Sequence, residues 1–126
     1  MSVISRSIDI IEVNCIQEQI DYFGEQFERQ YFTSIERSVS WFGLRRTQYL
    51  AGRWVAKRAI LTIFGQENEQ NLPWLEIEIP RLPTGAPSVI LHQKSLTLAT
   101  ELGIKKWLLS ISHTSLYAAA SVIALS

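Results

Sequence analysis

The chain has 126 residues, 47% of them hydrophobic, with mean hydropathy +0.07, which is enough for one domain spanning 1–126 with its own core and too little for two. Twelve Lys+Arg balance twelve Asp+Glu, so no global field draws the protein to nucleic acid or to an anionic membrane, and any recognition of an anion has to be local. One cysteine, Cys15, excludes an intramolecular disulfide, and two histidines far apart, His92 and His113, give no zinc-ligand spacing.

Residues 6–13, RSIDIIEV, are β-branched and alternate as a strand, with Asp9 on the same side as Ile11 and Val13. A carboxylate thus stands where a hydrophobe is expected. Residues 15–29 carry Ile16, Ile20, Phe23 and Phe27 at helical spacing, interrupted by Gly24. Thr33 followed by Glu36 is a capping-box pattern and predicts a short second helix. From 44 to 64 the only helix-weakening residue is Gly52, and Gly65 follows as a stop, which predicts a long helix. Residues 74–79, WLEIEI, alternate as a strand with Leu75, Ile77 and Ile79 on one side, and PRLPTGAP at 80–87 reads as a turn leading into SVIL. SLTLATELGI predicts a helix ending near Gly103. The remainder, WLLSISHTSLYAAASVIAL, predicts two strands joined by a tight turn at Thr114 to Leu116, although the alanines at 118–120 also suit a helix. The sequence has no repeat, no linker, no leader pattern and no apolar run near twenty residues. A soluble protein of a reducing compartment, the cytoplasm, is the expectation.

On a helical wheel Arg46, Arg53 and Lys57 fall within roughly 40° of one another. Such a stripe is either a solvated face or a phosphate-binding one, because a polyanion needs convergent cations. Arg58 differs: it shares its side with Ala51, Trp54, Val55, Leu61 and Thr62. An unpaired charge there would cost several kcal/mol, so a carboxylate is needed, and Asp9 has the mirror-image problem. We expect strand and helix to pack with Asp9 facing Arg58; a capping or exposed role for Asp9 is the alternative. Trp54 either fills core or narrows a cleft.

The segments SIDIIEV, FERQYFTSIE, YLAGRWVAKRAI…FG, IEI…TGAP and LSISHTSLYAAASV, in that order, resemble the holo-acyl-carrier-protein synthase family, the 4′-phosphopantetheinyl transferases of about this length. The resemblance spans nearly the whole chain and implies an α+β protomer, an antiparallel sheet packed on a long central helix, assembled as a homotrimer with coenzyme A in clefts between subunits. It implies a transferase of fatty acid biosynthesis that moves 4′-phosphopantetheine from coenzyme A to a serine of apo acyl carrier protein, with magnesium on the pyrophosphate. By the same resemblance Asp9 is a catalytic and metal carboxylate. Arg53, Lys57, Gly65, His113 and Thr114 are coenzyme A contacts, although a histidine in SISHT also reads as an ordinary turn residue.

Where the family reads AKEA this chain reads AKRA, so a metal-ligand glutamate is here Arg58, at a catalytic position. A phosphate-contacting lysine one turn on is Thr62, and the basic residue that helps dock the acidic carrier after the first strand is displaced by Asn14 and Cys15. A guanidinium about 4 Å from a divalent ion repels it by several kcal/mol even at an effective dielectric near 20. An Asp9–Arg58 ion pair in place of magnesium is therefore expected. Arg58 turned to the pyrophosphate as a fixed cation is a second possibility, and Glu12, Glu36 or a neighbour's carboxylate replacing the lost ligand is a third. Two functions follow: a divergent transferase, or a non-catalytic relative that binds coenzyme A or acts as a partner subunit.

Overall fold

The computed structural model describes residues 1–126. In chain order the elements are β1 (Val3–Glu12), α1 (Val13–Phe23), α2 (Glu25–Tyr31), α3 (Ser34–Arg37), α4 (Gly43–Ile63), a 3-10 turn (Trp74–Glu76), β2 (Ile77–Glu78), β3 (Ile90–Leu91), α5 (Gln93–Glu101), β4 (Lys106–His113) and β5 (Tyr117–Leu125). The strands β1, β5 and β4 form an antiparallel sheet in that order, and β2 pairs with β3 apart from it.

The long helix α4 lies across the inner face of this sheet. Small residues there, Ala118, Ala120 and Ala124 with Val122 on β5, let the helix approach, and Ala51, Val55, Ala56 and Ala59 face them from α4. The alanines at 118–120 are strand: β5 holds the middle of the sheet with a partner on either side, which overrides alanine's helix propensity. At Gly52 the approach is tightest, because a Cβ built there would lie 2.7 Å from Cγ2 of Ile111 on β4. We expect Gly52→Val to lower stability by about 1–3 kcal/mol, because Ile111 Cγ2 sits beside its backbone and has little room to move. The midpoint of denaturant unfolding is the check.

The break between α1 and α2 falls at Gly24, whose φ of 62° reverses the chain, and α4 ends before Gly65 at φ 72°. The capping box is complete: Thr33 accepts from the Glu36 N–H while the Glu36 carboxylate accepts from the Thr33 N–H. One expected element is different. Residues 74–79 are a 3-10 turn followed by only two paired residues, with Leu75 exposed and Glu78 buried beside Ile77 and Ile79, so the alternation fails. Tertiary demands explain it. Trp74 stacks on Trp54 with centroids 5.1 Å apart, and Glu76 accepts the Ser95 N–H at the start of α5, which needs the chain to curl there.

Candidate functional site

Asp9 alternates inward with Ser7 and Ile11 on β1 and meets α4 at Arg58. The guanidinium grips the carboxylate with two donors: Nε donates to Oδ2, and Nη2 donates to Oδ1 at 2.9 Å and to the Ile10 carbonyl at 3.2 Å. Asp9 Oδ1 also accepts the Ile10 N–H at 2.8 Å. The Arg58 Cζ lies over the Trp54 ring, 4.5 Å from its centroid, so the stacked indoles back the cation while the two-donor grip on Asp9 orients it. Trp54 is half-buried, a platform as much as a core residue. The expected pair is present, but the side of α4 that carries it is less buried than the pattern suggested, with the Arg58 side chain 35% exposed and Asp9 23%.

These residues do not fit a magnesium ion. The chain gathers no group of three His, Cys, Asp or Glu able to hold one, and Asp9's oxygens are taken by a cation and a backbone donor. Magnesium favours hard oxygens in octahedral array, and the position next to Asp9 is instead filled by nitrogen donors. Glu36 supplies no substitute, since it is buried and paired elsewhere, and Glu12 lies at the far end of β1 on its outward side.

The cationic stripe of the wheel is neither wet nor shared. Lys57 is fully buried, and its ammonium donates to Glu36 Oε1 at 2.6 Å, to the Tyr31 carbonyl at 2.7 Å and to the Trp74 carbonyl at 3.0 Å. All three protons are used inside the protomer. Burial pulls its pKa down from the ordinary value and Glu36 opposes that pull. Arg46 is committed too, to Glu28 at 2.6 Å and to the carbonyls of Arg37, Val39 and Trp41.

Arg53 reaches a groove that no carboxylate lines, whereas the small cavity beside Arg46 is shared with Glu25 and Glu28. The Arg53 Nε donates to the Ile79 carbonyl at 3.3 Å and its Cζ lies 4.4 Å from the centroid of the Tyr49 ring; largely buried, Arg53 forms part of the wall of an open cavity of about 660 Å³. Arg45, Arg81 and His113 line the same cavity, and no carboxylate does. Trp41 sits between two of these cations, 4.3 Å from Arg45 and 5.2 Å from Arg81. Burial pulls Arg53 below its ordinary pKa, Tyr49 and Glu36 oppose that pull, and the nearby Arg81 adds a smaller push in the same direction as burial; Arg53 remains protonated at any physiological pH. Cations gathered on a cavity wall that no carboxylate lines favour an anion there. Thr114 forms the turn that carries His113, its hydroxyl accepting the N–H groups of Leu116 and Tyr117, both at 3.1 Å.

Within one protomer the residues singled out from sequence therefore fall into two groups. Arg53 and His113 line the groove along the first half of α4, with Thr114 beside it as acceptor of a hydrogen bond from Gln48, while Asp9 and Arg58, with Gly65 after the helix, belong to its later half. Five residues apart, Arg53 and Arg58 point about 140° from each other around the helix. Lys57 joins neither. Arg45, Arg81 and Trp41 escaped sequence reasoning; the signal for Arg81 was a cation inside a Pro-Gly turn already expected to fold back, and for Arg45 its place in the Arg-Arg pair that opens α4.

No family model matches the sequence. Relatives do. The chain is 33% identical over 121 residues to the holo-[acyl-carrier-protein] synthase of Koribacter versatilis, covering 96% of this chain and 97% of that one. It is 35% identical over 121 residues to that of Natranaerobius thermophilus, with 96% of each covered. Among solved structures, the holo-(acyl-carrier-protein) synthase of Bacillus anthracis in complex with CoA (3′,5′-ADP) superposes with a TM-score of 0.79 at 30% identity over 97% of this chain and 96% of that one. The synthase from Neisseria meningitidis shares the fold at a TM-score of 0.84 and 23% identity, over 99% and 100% of the two chains.

Proposed function

Because the chain belongs to the holo-acyl-carrier-protein synthase family, we propose that it transfers 4′-phosphopantetheine from coenzyme A to a serine of apo acyl carrier protein, in the cytoplasm and in the service of fatty acid biosynthesis. The observation that carries the reading is the groove. A chain of zero net charge concentrates Arg45, Arg53, Arg81 and His113 around one cavity that no carboxylate lines, which suits a ligand with several phosphates.

In the proposed reaction the serine hydroxyl oxygen attacks the phosphorus that bears the pantetheine arm. The bond from that phosphorus to adenosine 3′,5′-bisphosphate breaks, the serine proton is lost, and charge shifts to the leaving group. This chain's residues serve by holding phosphates against fixed cations, which stabilises that charge without reorganisation. The two groups along α4 point away from each other, so one protomer cannot offer both to one ligand. A homotrimer with coenzyme A between the groove of one protomer and the Arg58 region of the next would bring them together. The outer face of the sheet supports that assembly, since Ile8 is 79% exposed and Ile10 59%, with Ile4 and Leu108 also open to solvent.

A non-catalytic, coenzyme A-binding partner subunit is a second reading, favoured by Asp9. With its oxygens accepting from Arg58 and Ile10, it is poorly placed to take the serine proton. Mixing the protein with coenzyme A and apo acyl carrier protein decides between them: we expect the carrier to gain the mass of one phosphopantetheine per molecule. An unchanged carrier mass, with coenzyme A still bound, selects the partner subunit.

A further inference from the structure

The family fold implies a divalent cation beside Asp9, and the residues in this chain do not fit one. They fit something else. Arg58 is gripped by the carboxylate through Nε and Nη2, and its Cζ lies over the Trp54 ring, 4.5 Å from the centroid, with Trp54 itself stacked on Trp74. That leaves Nη1 with no hydrogen bond inside the chain, on a side chain 35% exposed. A guanidinium clamped on one edge and free on the other is a fixed positive charge with two unused protons facing solvent. Its plane and position are held before any ligand arrives.

The charge arithmetic points the same way. Putting an arginine where the resemblance places a glutamate changes the local charge from −1 to +1, a difference of two, which is the charge of one magnesium ion. Asp9 with Arg58 sums to zero; two carboxylates with magnesium also sum to zero. The net charge met by an approaching phosphate is thus preserved while the cation moves from a dissociable ion to the covalent chain. Phosphate oxygens accept well from a guanidinium, which is weakly hydrated and presents donors in a plane.

We propose that this chain holds the ligand's pyrophosphate without a divalent cation, with Arg58 as the permanent replacement for the metal and Asp9 as the residue that positions it. The proposal rests on the coenzyme A reading above and concerns only how the phosphates are held. Its consequence is a protein whose ligand affinity ignores chelators.

Titration calorimetry of coenzyme A into the full chain, once in EDTA and once in millimolar magnesium chloride, is the test. We expect the two dissociation constants to agree within about twofold, and manganese added to the protein alone to give the electron paramagnetic resonance spectrum of the free ion. Arg58→Glu should lose roughly tenfold or more of its affinity in EDTA and recover it with magnesium, while binding manganese at Asp9 and the new carboxylate. Arg58→Lys guards against misfolding of that variant. It keeps the charge without the fork, so binding should weaken roughly tenfold and stay indifferent to EDTA.

Parent affinity that rises tenfold or more with magnesium, or manganese bound by the parent and lost in Asp9→Asn, overturns the proposal. The transferase reading fails separately: metal-indifferent binding with no mass gain on the carrier leaves the cation site standing and removes the reaction. Transfer that proceeds only with magnesium, together with magnesium-dependent binding, does the reverse. Absence of binding in both media removes both.

Discussion

Glu36→Ala is expected to lower the unfolding free energy by about 3–5 kcal/mol, a large share of the ~5–15 kcal/mol available to a domain of this size. The corresponding fall in Tm is roughly 10–25 °C, readable by calorimetry or circular dichroism. The reason is that this one carboxylate closes three separate structures. Its Oε1 accepts from the Thr33 N–H at 2.8 Å and from Lys57 at 2.6 Å, and its Oε2 accepts from the Ile79 N–H at 2.9 Å. The cap of α3, the middle of α4 and the residue that follows β2 therefore meet on a side chain with no solvent exposure. Alanine would orphan two backbone donors and leave the Lys57 ammonium with carbonyl partners only.

The effect separates into parts. Glu36→Gln keeps an oxygen and the volume but discards the charge, so it should cost less, about 1–3 kcal/mol. Removing both charges, as in Glu36→Gln with Lys57→Met, relieves the unpaired ammonium but leaves the carbonyls of Tyr31 and Trp74 without the donor they share. Replacement of a buried pair is near neutral only when nothing else depends on it. Here backbone groups depend on both partners, so the double variant should remain less stable than the parent.

Glu36 also illustrates which parts of this molecule can be read from sequence. Its spacing from Thr33 announces the capping box, a local motif. Its other partners are 21 and 43 residues away, and no periodicity reports them. The wheel placed Lys57 with Arg46 and Arg53 correctly, yet a wheel describes one helix and not what covers it; the Tyr31 and Trp74 carbonyls come from α2 and from the 3-10 turn. Asp9 and Arg58 were legible for the opposite reason. Each carries a charge on a face patterned to point inward, and two such anomalies of opposite sign need each other. The groove was the least legible feature. Arg45, Arg81 and His113 come from α4, a turn and β4, and only the tertiary fold brings them to one cavity. Residues 74–79 misled because alternation was real in the letters but interrupted in space, where Trp74 and Glu76 answer to Trp54 and to α5.

Ile8→Glu is the second large expected effect, and it is on assembly. In β1 the inward positions are Ser5, Ser7, Asp9 and Ile11, whereas Ile4, Ile8 and Ile10 face outward, with Ser121 and Ala119 on β5 opposite the last two. Leu108 on β4 and Ile123 on β5 share a register row with Arg6. An antiparallel sheet with one solvated face is ordinarily polar on it; this one carries Ile4, Ile8, Ile10, Leu108 and Ile123 alongside Arg6, Glu12 and Lys106, with Ser110 and Ser121 as small residues between the bulky ones. Buried in the proposed trimer, a glutamate at position 8 would put one carboxylate per protomer beside Ile10 in an aliphatic junction, three like charges whose desolvation Arg6, two residues back on the same face, offsets only in part. In the free protomer the same side chain stands 79% exposed and meets nothing, so the variant should keep the helical and strand signals of the parent. Sedimentation should change from a species near three times 14.4 kDa to a single chain of that mass. Coenzyme A binding should weaken with it, because the groove and the Arg58 cation would no longer face each other across a subunit boundary. A variant that stays trimeric, or a monomer that binds coenzyme A as the parent does, would remove the shared cleft from the account.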